Sequence, residues 1–321
     1  MQEFRYKKIY RYENLRGRDI ISARDLSRED LEAIFKVADS YGENPGIYRD
    51  MLKGKNIALI FIEPSTRTYH SFEKASRILG CEVIGIRDPS ISSMAKGENL
   101  YDTIKMIESY GADLIVLRHP SRGAALYAAE ISSVPVINGG DGSREHPTQA
   151  ILDLYTIYKK RGTIDGLRIG FLGDLRFSRT VPSLSYALTL YMDIEIYYIA
   201  PPMLQIRREV EIYLERMGVR YTKITEIGSV ARVLKDIDVL YVTRLQKERF
   251  PDPGEYEKLR GAYTVTPEIL GIARSDIGIM HPLPRVDELS PELDRTPNAW
   301  YFDQARWGIN VRVALISLIL G

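Results

Sequence analysis

The sequence predicts an α/β protein of two doubly wound domains, each a mainly parallel sheet flanked by helices. Short apolar runs rich in β-branched and aromatic residues alternate with amphipathic helical patterns along the chain, the signature of parallel strands covered on both faces. The chain has 321 residues, enough for two domains at roughly 150 residues each. A glycine-rich polar segment, residues 138–146 (NGGDGSREH), interrupts the alternation after the fourth strand run.

The first set of strands is expected at 57–62 (IALIFI), 82–86 (EVIGI), 114–117 (LIVL) and 134–137 (VPVI). The second is expected at 168–172 (RIGFL), 194–199 (IEIYYI), 219–222 (VRYT), 238–242 (DVLYV) and 277–280 (IGIM). Helical patterns lie at 28–41, 66–79, 99–110, 122–130, 147–161, 179–191, 203–217 and 229–235. Ser27 with Asp30 is an N-cap signal for the first. Nine strands with a break after the fourth imply two sheets, and the helix at 147–161 would join the domains.

Composition bounds the function. Hydrophobic residues make up 45% and charged residues 27%, the balance of an ordinary globular protein. Lys+Arg number 44 against 43 Asp+Glu, a net +1, which predicts no global attraction to nucleic acid or anionic membrane. Cys81 is the one cysteine, so no intrachain disulfide and no zinc site built on cysteine pairs is available. The longest uncharged stretch, Thr180 to Met192, has 13 residues and contains a proline, too short to span a bilayer as a helix. The first twenty residues lack the apolar core of a secretory signal. The expected location is the cytoplasm.

In open α/β sheets ligands bind beyond the carboxyl ends of the strands, so the residues following each strand carry the functional reading. After 57–62 come Glu63-Pro64-Ser65-Thr66-Arg67-Thr68 and a helix. Helix N-termini favour anions, phosphate in particular, and Arg67 adds a charged bidentate donor. Capping alone would explain one hydroxyl, not three with an arginine. Three of the four histidines precede a proline at a strand or loop end: His119, His146 and His281. His70, one turn inside the Ser65 helix, reads as structural. After 168–172, Gly173-Asp174 lacks the full G-x-G-x-x-G dinucleotide fingerprint. Arg179 then opens a helix, where a cation opposes the dipole; an anionic ligand or a salt bridge to Glu63 would account for it. After 238–242, Arg244 and Gln246 are two apart and suit a carboxylate. The segment 88–98 (DPSISSMAKGE), with Lys96, reads as an exposed loop.

Taken in order, these motifs resemble the aspartate/ornithine carbamoyltransferase family. The matches are Ser65-Thr66-Arg67-Thr68, Ser92-Ser93-Met94-Ala95-Lys96-Gly97-Glu98, Arg118-His119-Pro120, Asp141-Gly142-Ser143 with His146-Pro147-Thr148-Gln149, Gly173-Asp174 with Arg179-Thr180, the run 243–249, and 281–288 from His281-Pro282-Leu283-Pro284-Arg285 to Glu288. The resemblance points to the aspartate branch, because Pro282 stands where ornithine enzymes carry a cysteine, and those enzymes lack the Arg244/Gln246 pair.

The resemblance implies transfer of the carbamoyl group of carbamoyl phosphate to the amine of L-aspartate in pyrimidine biosynthesis, with no cofactor, no metal and no covalent intermediate. A less favoured alternative is an ornithine or other amino-acid carbamoyltransferase. It implies a carbamoyl-phosphate-binding domain at 1–146, an aspartate-binding domain at 147–304, and a C-terminal helix 305–321 packing back on the first. Phosphate would sit on Ser65, Thr66, Arg67 and Thr68. Thr68, Arg118 and His146 would point at the carbamoyl oxygen, and Gln149 would lie at the carbamoyl nitrogen. Arg179, Arg244 and Gln246 would grip the aspartate carboxylates, with Pro282 and Leu283 carbonyls orienting amine groups. The Leu283–Pro284 bond is expected to be cis. Ser92 and Lys96 would reach into a neighbour's site in a homotrimer, and a separate regulatory chain is left open. Substrates carrying roughly −4 would meet five cations, Arg67, Lys96, Arg118, Arg179 and Arg244. The sequence departs from the family's usual spelling at Tyr69-His70, Arg144-Glu145 and Trp307.

Overall fold

The computed structural model describes residues 15–88, 90, 93–226, 233–244, 254 and 264–321. The chain divides into two compact units. The first takes in the chain up to His119, Gly123–Gly139 and Ile309–Gly321; the second takes in Pro120–Arg122 and Gly140–Gly308.

The first unit is built on a sheet of order β2-β1-β3-β4, with β1 at Asn56–Phe61, β2 at Glu82–Ile86, β3 at Leu114–His119 and β4 at Val136–Asp141. β1 is central and pairs parallel with both β2 and β3. Helices α1 (Arg28–Glu43), α2 (Thr66–Ile78), α3 (Leu100–Ser109) and α4 (Ala124–Ile131) belong to this unit. Burial on both faces explains the continuous apolar runs: Ala58 and Ile60 of β1 and Ile115 and Leu117 of β3 pack with Ile104, Ile107, Ala125 and Ala128 of α3 and α4. The expected cap of α1 is a full capping box. Ser27 Oγ accepts from the Asp30 amide at 3.1 Å, and the Ser27 amide donates to Asp30 Oδ2 at 2.9 Å.

The second unit holds the sheet β7-β6-β5-β8-β9, again parallel, with β5 at Arg168–Leu172, β6 at Glu195–Ile199, β7 at Arg220–Ile224, β8 at Val239–Val242 and β9 at Gly278–Met280. α5 (Pro147–Arg161), α6 (Thr180–Leu188), α7 (Arg208–Met217) and α8 (Pro267–Ile272) belong here. The last helix, α9, spans Tyr301–Leu320; its residues from Ile309 onward are assigned to the first unit. There Asn310 Nδ2 donates to the Ala38 carbonyl at 3.1 Å.

Two expectations differ from the structure. The glycine segment was expected to break the chain, yet β4 runs on through Asn138, Gly139, Gly140 and Asp141. A Cβ at Gly139 would sit 3.3 Å from the Leu117 carbonyl, so glycine there permits close strand approach instead of marking a loop. The helix expected from 203 begins at Arg208. A 3-10 turn, Pro202–Leu204, comes first, and the backbone at Gln205 is extended; Gln205 Nε2 donates to the Tyr198, Ala200 and Ile224 carbonyls at 3.0, 2.8 and 3.3 Å. Most of the helix expected at 229–235 lies outside the described residues. Residues 140–146 are assigned to the second unit; the His146 amide donates to Ser183 Oγ at 2.8 Å, and Arg207 Nη1 donates to the Ser143 carbonyl at 2.6 Å.

The turn after β9 is held by a buried pair. His281 Nδ1 accepts from the Leu283 amide at 2.8 Å, which assigns the proton to Nε2, 2.8 Å from Glu288 Oε1. The Val286 amide donates to both Glu288 oxygens at 3.2 Å. The Leu283–Pro284 bond is cis, as expected.

Gly173→Ala should destabilise the protein by roughly 3 kcal/mol, because φ there is +115° and a Cβ would lie 2.3 Å from the Thr243 carbonyl; urea titration measures it. Burial pushes the Glu288 carboxyl up, but hydrogen bonds from His281 and the Val286 amide outweigh it and leave it below the ordinary glutamate value. A depressed folded value stabilises above the unfolded value and is lost as pH falls through the folded one. Urea midpoints should therefore drop on acidification below about pH 4.3, and Glu288→Gln should lose less stability over that window than the wild type.

Candidate active site

In each unit the strand order reverses direction at one place. In the first, β1 leads by way of α2 to β2 on one side, while β3 lies on the other. In the second, β5 leads to β6 on one side and β8 lies on the other. Such a switch opens a crevice at the strand carboxyl ends, because successive connections leave in opposite directions. Both crevices are lined by residues singled out from the sequence.

At the first, the Ile62 and Glu63 amides donate to the Arg118 carbonyl at 2.8 and 3.4 Å, so the ends of β1 and β3 are held together. This brings the Ser65–Thr68 turn beside Arg118. Ser65 is the N-cap of α2, with extended backbone (φ −158°, ψ 104°), but its side chain makes no capping hydrogen bond. The capping explanation for that serine therefore does not hold. Ser65 is half-buried, Thr66 and Arg67 are exposed, and Thr68 is buried. The helix start combines amides that have no intrahelical partner, the positive end of the dipole and an arginine, which suits a phosphoryl group. The Arg118 guanidinium is clamped: Nη2 donates to Glu63 Oε1 at 2.8 Å and Nη1 to the Gly139 carbonyl at 3.1 Å. Glu63, considered from the sequence as a partner for Arg179, thus has a carboxylate oxygen on Arg118.

Lys96 is exposed and ends a short 3-10 turn, Ser93–Lys96. Ser92 lies outside the described residues. Tyr69 and His70 pack locally. The Tyr69 ring meets Phe61 edge-on at 5.2 Å, and Arg87 Nη2 lies 2.8 Å from His70 Nε2.

In the second unit, His146 is the N-cap of α5 and is followed by Pro147 in the first turn, where a missing amide hydrogen costs nothing. His146 is 4% exposed, and the Thr148 hydroxyl lies 3.3 Å from its Nδ1. A Thr148 hydroxyl that donates there places the imidazole proton on Nε2. Ser183 Oγ, which accepts from the His146 amide, lies 3.3 Å from Glu145 Oε2. The unusual Glu145 is thereby drawn into the interior. Gln149, one turn along α5, donates from Nε2 to Asp153 Oδ1 at 2.8 Å.

At the second switch point, the Thr243 amide donates to the Leu172 carbonyl at 2.8 Å, joining the ends of β8 and β5. Arg244 follows directly and is half-buried; Arg179 is the half-buried N-cap of α6. Gln246 lies outside the described residues. Pro282 and Leu283 are half-buried in the turn after β9. Sequence reasoning missed Asp153, Ser183 and Gln304. An acid four residues after Gln149 on one helix was a signal for Asp153; Gln304 touches it from a separate helix, 151 residues away in the chain. Trp307 stacks edge-on against Tyr155 at 5.9 Å. Among the described residues, no group of three His, Cys, Asp or Glu side chains could hold a metal ion, and no helix is long and apolar enough to cross a membrane.

Residues 18–159 match the aspartate/ornithine carbamoyltransferase, carbamoyl-P binding domain, and residues 165–319 match the Asp/Orn binding domain of the same family. The chain is 54% identical over 312 residues to the aspartate carbamoyltransferase catalytic subunit of Hyperthermus butylicus, covering 95% of this chain and 97% of that one. It resembles the aspartate transcarbamoylase of Trypanosoma cruzi in complex with carbamoyl phosphate and aspartate, with a TM-score of 0.89 and 36% identity over 96% of this chain and 98% of that one. The catalytic subunit of M. Jannaschii aspartate transcarbamoylase gives a TM-score of 0.83 at 46% identity, covering 93% of this chain and 96% of that one. With both halves matched in order and the motifs at the two switch points, the chain belongs to the aspartate/ornithine carbamoyltransferase family.

Proposed function

We propose that this chain transfers the carbamoyl group of carbamoyl phosphate to the amino group of L-aspartate, giving N-carbamoyl-L-aspartate and phosphate, as a step of pyrimidine biosynthesis in the cytoplasm. One observation carries the reading: each sheet's switch point holds cations suited to a different substrate. Ser65, Thr66, Arg67, Thr68 and Arg118 suit phosphate and a carbamoyl oxygen. Arg179 and Arg244, with Gln246, suit two carboxylates. The division that goes with this reading is a carbamoyl-phosphate half at 1–146 and an aspartate half at 147–304, with 305–321 returning to the first; it differs from the compact units at 120–122, 140–146 and 305–308, which lie in the second unit. An ornithine side chain is cationic and would be repelled by Arg244.

The chemistry needs no enzyme nucleophile. The unprotonated aspartate amine attacks the carbamoyl carbon, and negative charge grows on the carbamoyl oxygen. Thr68, Arg118 and His146 stabilise it as an oxyanion hole does. The bond to phosphate then breaks, and the leaving phosphate takes the amine proton. Gln149 holds the carbamoyl nitrogen, and the Pro282 and Leu283 carbonyls orient the amine groups. Lys96 and Ser92 come from the adjacent chain of a homotrimer, so each site draws on two subunits.

Steady-state assays with aspartate and with ornithine test the reading; turnover of ornithine alone would overturn it. Arg244→Ala should raise the KM for aspartate about 100-fold by removing a charge-assisted carboxylate contact, leaving carbamoyl phosphate affinity nearly unchanged. His146→Ala should mainly lower kcat, by about 100-fold or more. Lys96→Ala and His146→Ala trimers should each be nearly inactive. Dissociated and reassembled together in equal amounts, they should recover roughly a quarter of wild-type activity, since that share of the interfaces in a cyclic trimer pairs an intact His146 with an intact Lys96. Demonstrated chain exchange with no recovery would show that Lys96 does not serve a neighbour.

A further inference from the structure

We infer that Asp153 is a positioning residue, which fixes the Gln149 amide so that its carbonyl oxygen is presented to the carbamoyl nitrogen. The inference deepens the proposed function and rests on it.

Asp153 is completely buried. It follows Gln149 by four residues on α5, so the two side chains share one helix face. Three elements aim donors at its carboxylate. Gln149 Nε2 on α5 donates to Oδ1 at 2.8 Å, Gln304 Nε2 on α9 donates to the same oxygen at 2.6 Å, and the Tyr241 hydroxyl on β8 donates to Oδ2 at 2.8 Å. Burial and the neighbouring carboxylate both push the Tyr241 phenol well up, so it remains a donor at neutral pH. Gln304 is oriented in turn, because its Oε1 accepts from the His281 amide at 3.0 Å.

A primary amide can offer a ligand either its NH2 or its carbonyl, according to a flip about one bond. Asp153 Oδ1 accepts from the Gln149 NH2, which turns the Gln149 Oε1 away from the carboxylate. A carbamoyl group carries an NH2 and needs an acceptor. With the amide reversed, NH2 would face NH2, and the bond would become a repulsion. A buried carboxylate is costly to hold, and at Asp153 the three converging donors offset that cost. An isosteric apolar residue would fill the same space without orienting Gln149.

The test compares carbamoyl phosphate with acetyl phosphate, which has a methyl group in place of the NH2, and with inorganic phosphate as control. Dissociation constants are measured by isothermal titration on the full-length protein. Wild type should prefer carbamoyl over acetyl phosphate. Asp153→Leu should reduce that preference about tenfold, one neutral hydrogen bond, while phosphate binding stays within about twofold. If Asp153→Leu does not fold, Asp153→Glu replaces it, since moving the carboxylate by one C–C bond, about 1.5 Å, also breaks the clasp. In a Gln149→Ala background the change at 153 should have no further effect on the preference. An unchanged preference, a parallel loss of all three ligands, or a further loss without Gln149 would each overturn the inference. A wild type with no preference for carbamoyl over acetyl phosphate would instead overturn the functional reading on which it rests.

Discussion

In a parallel sheet every strand must start again at the same edge, so each connection crosses a face and leaves the carboxyl ends of the strands to loops. Where two successive connections leave in opposite directions, no chain fills the gap between the strand ends. This constraint acts once in each unit, between β1 and β3 and between β5 and β8. Backbone hydrogen bonds beyond the strands hold those ends together: the Ile62 amide to the Arg118 carbonyl, and the Thr243 amide to the Leu172 carbonyl. The placement of Ser65–Thr68, Arg118 and Arg244 follows from them.

A cation in such a crevice needs a fixed direction as well as a charge. Arg118 gets it from one acid and one carbonyl, Glu63 and Gly139. Glycine at 139 has a second consequence, since it lets β4 lie close to β3 and puts that carbonyl within reach. A side chain there would disturb the strand spacing and the arginine together. Packing of the sheet and orientation of a binding group are therefore one problem in the first unit.

The second unit solves a related problem with buried hydrogen bonds. Asp153 gathers donors from α5, β8 and α9, and Gln304 continues the chain of bonds to the backbone of His281. His281 in turn accepts from the Leu283 amide and pairs with Glu288. In a medium of low dielectric such a network is strong when complete and costly when one member is lost. It ties the residue proposed for the carbamoyl nitrogen to the turn proposed for the aspartate amine through covalent and hydrogen bonds alone.

Much of this was legible in the residues themselves. Strand–helix alternation and the continuous apolar runs of β1 and β3 gave the two parallel sheets, because burial on both faces leaves a local trace in composition. Ser65-Thr66-Arg67-Thr68 and Arg244 could be picked out because the binding groups are contiguous and follow strands. Other features left no such trace. Asn138 to Asp141 read as a loop, since glycine's use for close approach depends on a neighbouring strand that the segment does not contain. The helix at Arg208 starts later than its local pattern implies, because Gln205 before it bonds to carbonyls of two strands and the loop between them. Asp153 and Gln304 are 151 residues apart, and neither carries a local sign that the other will meet it. Local sequence determined which elements form and which groups end them; only the tertiary structure decided which donors face which acceptors, because hydrogen-bond partners are chosen by position in space and not by distance along the chain.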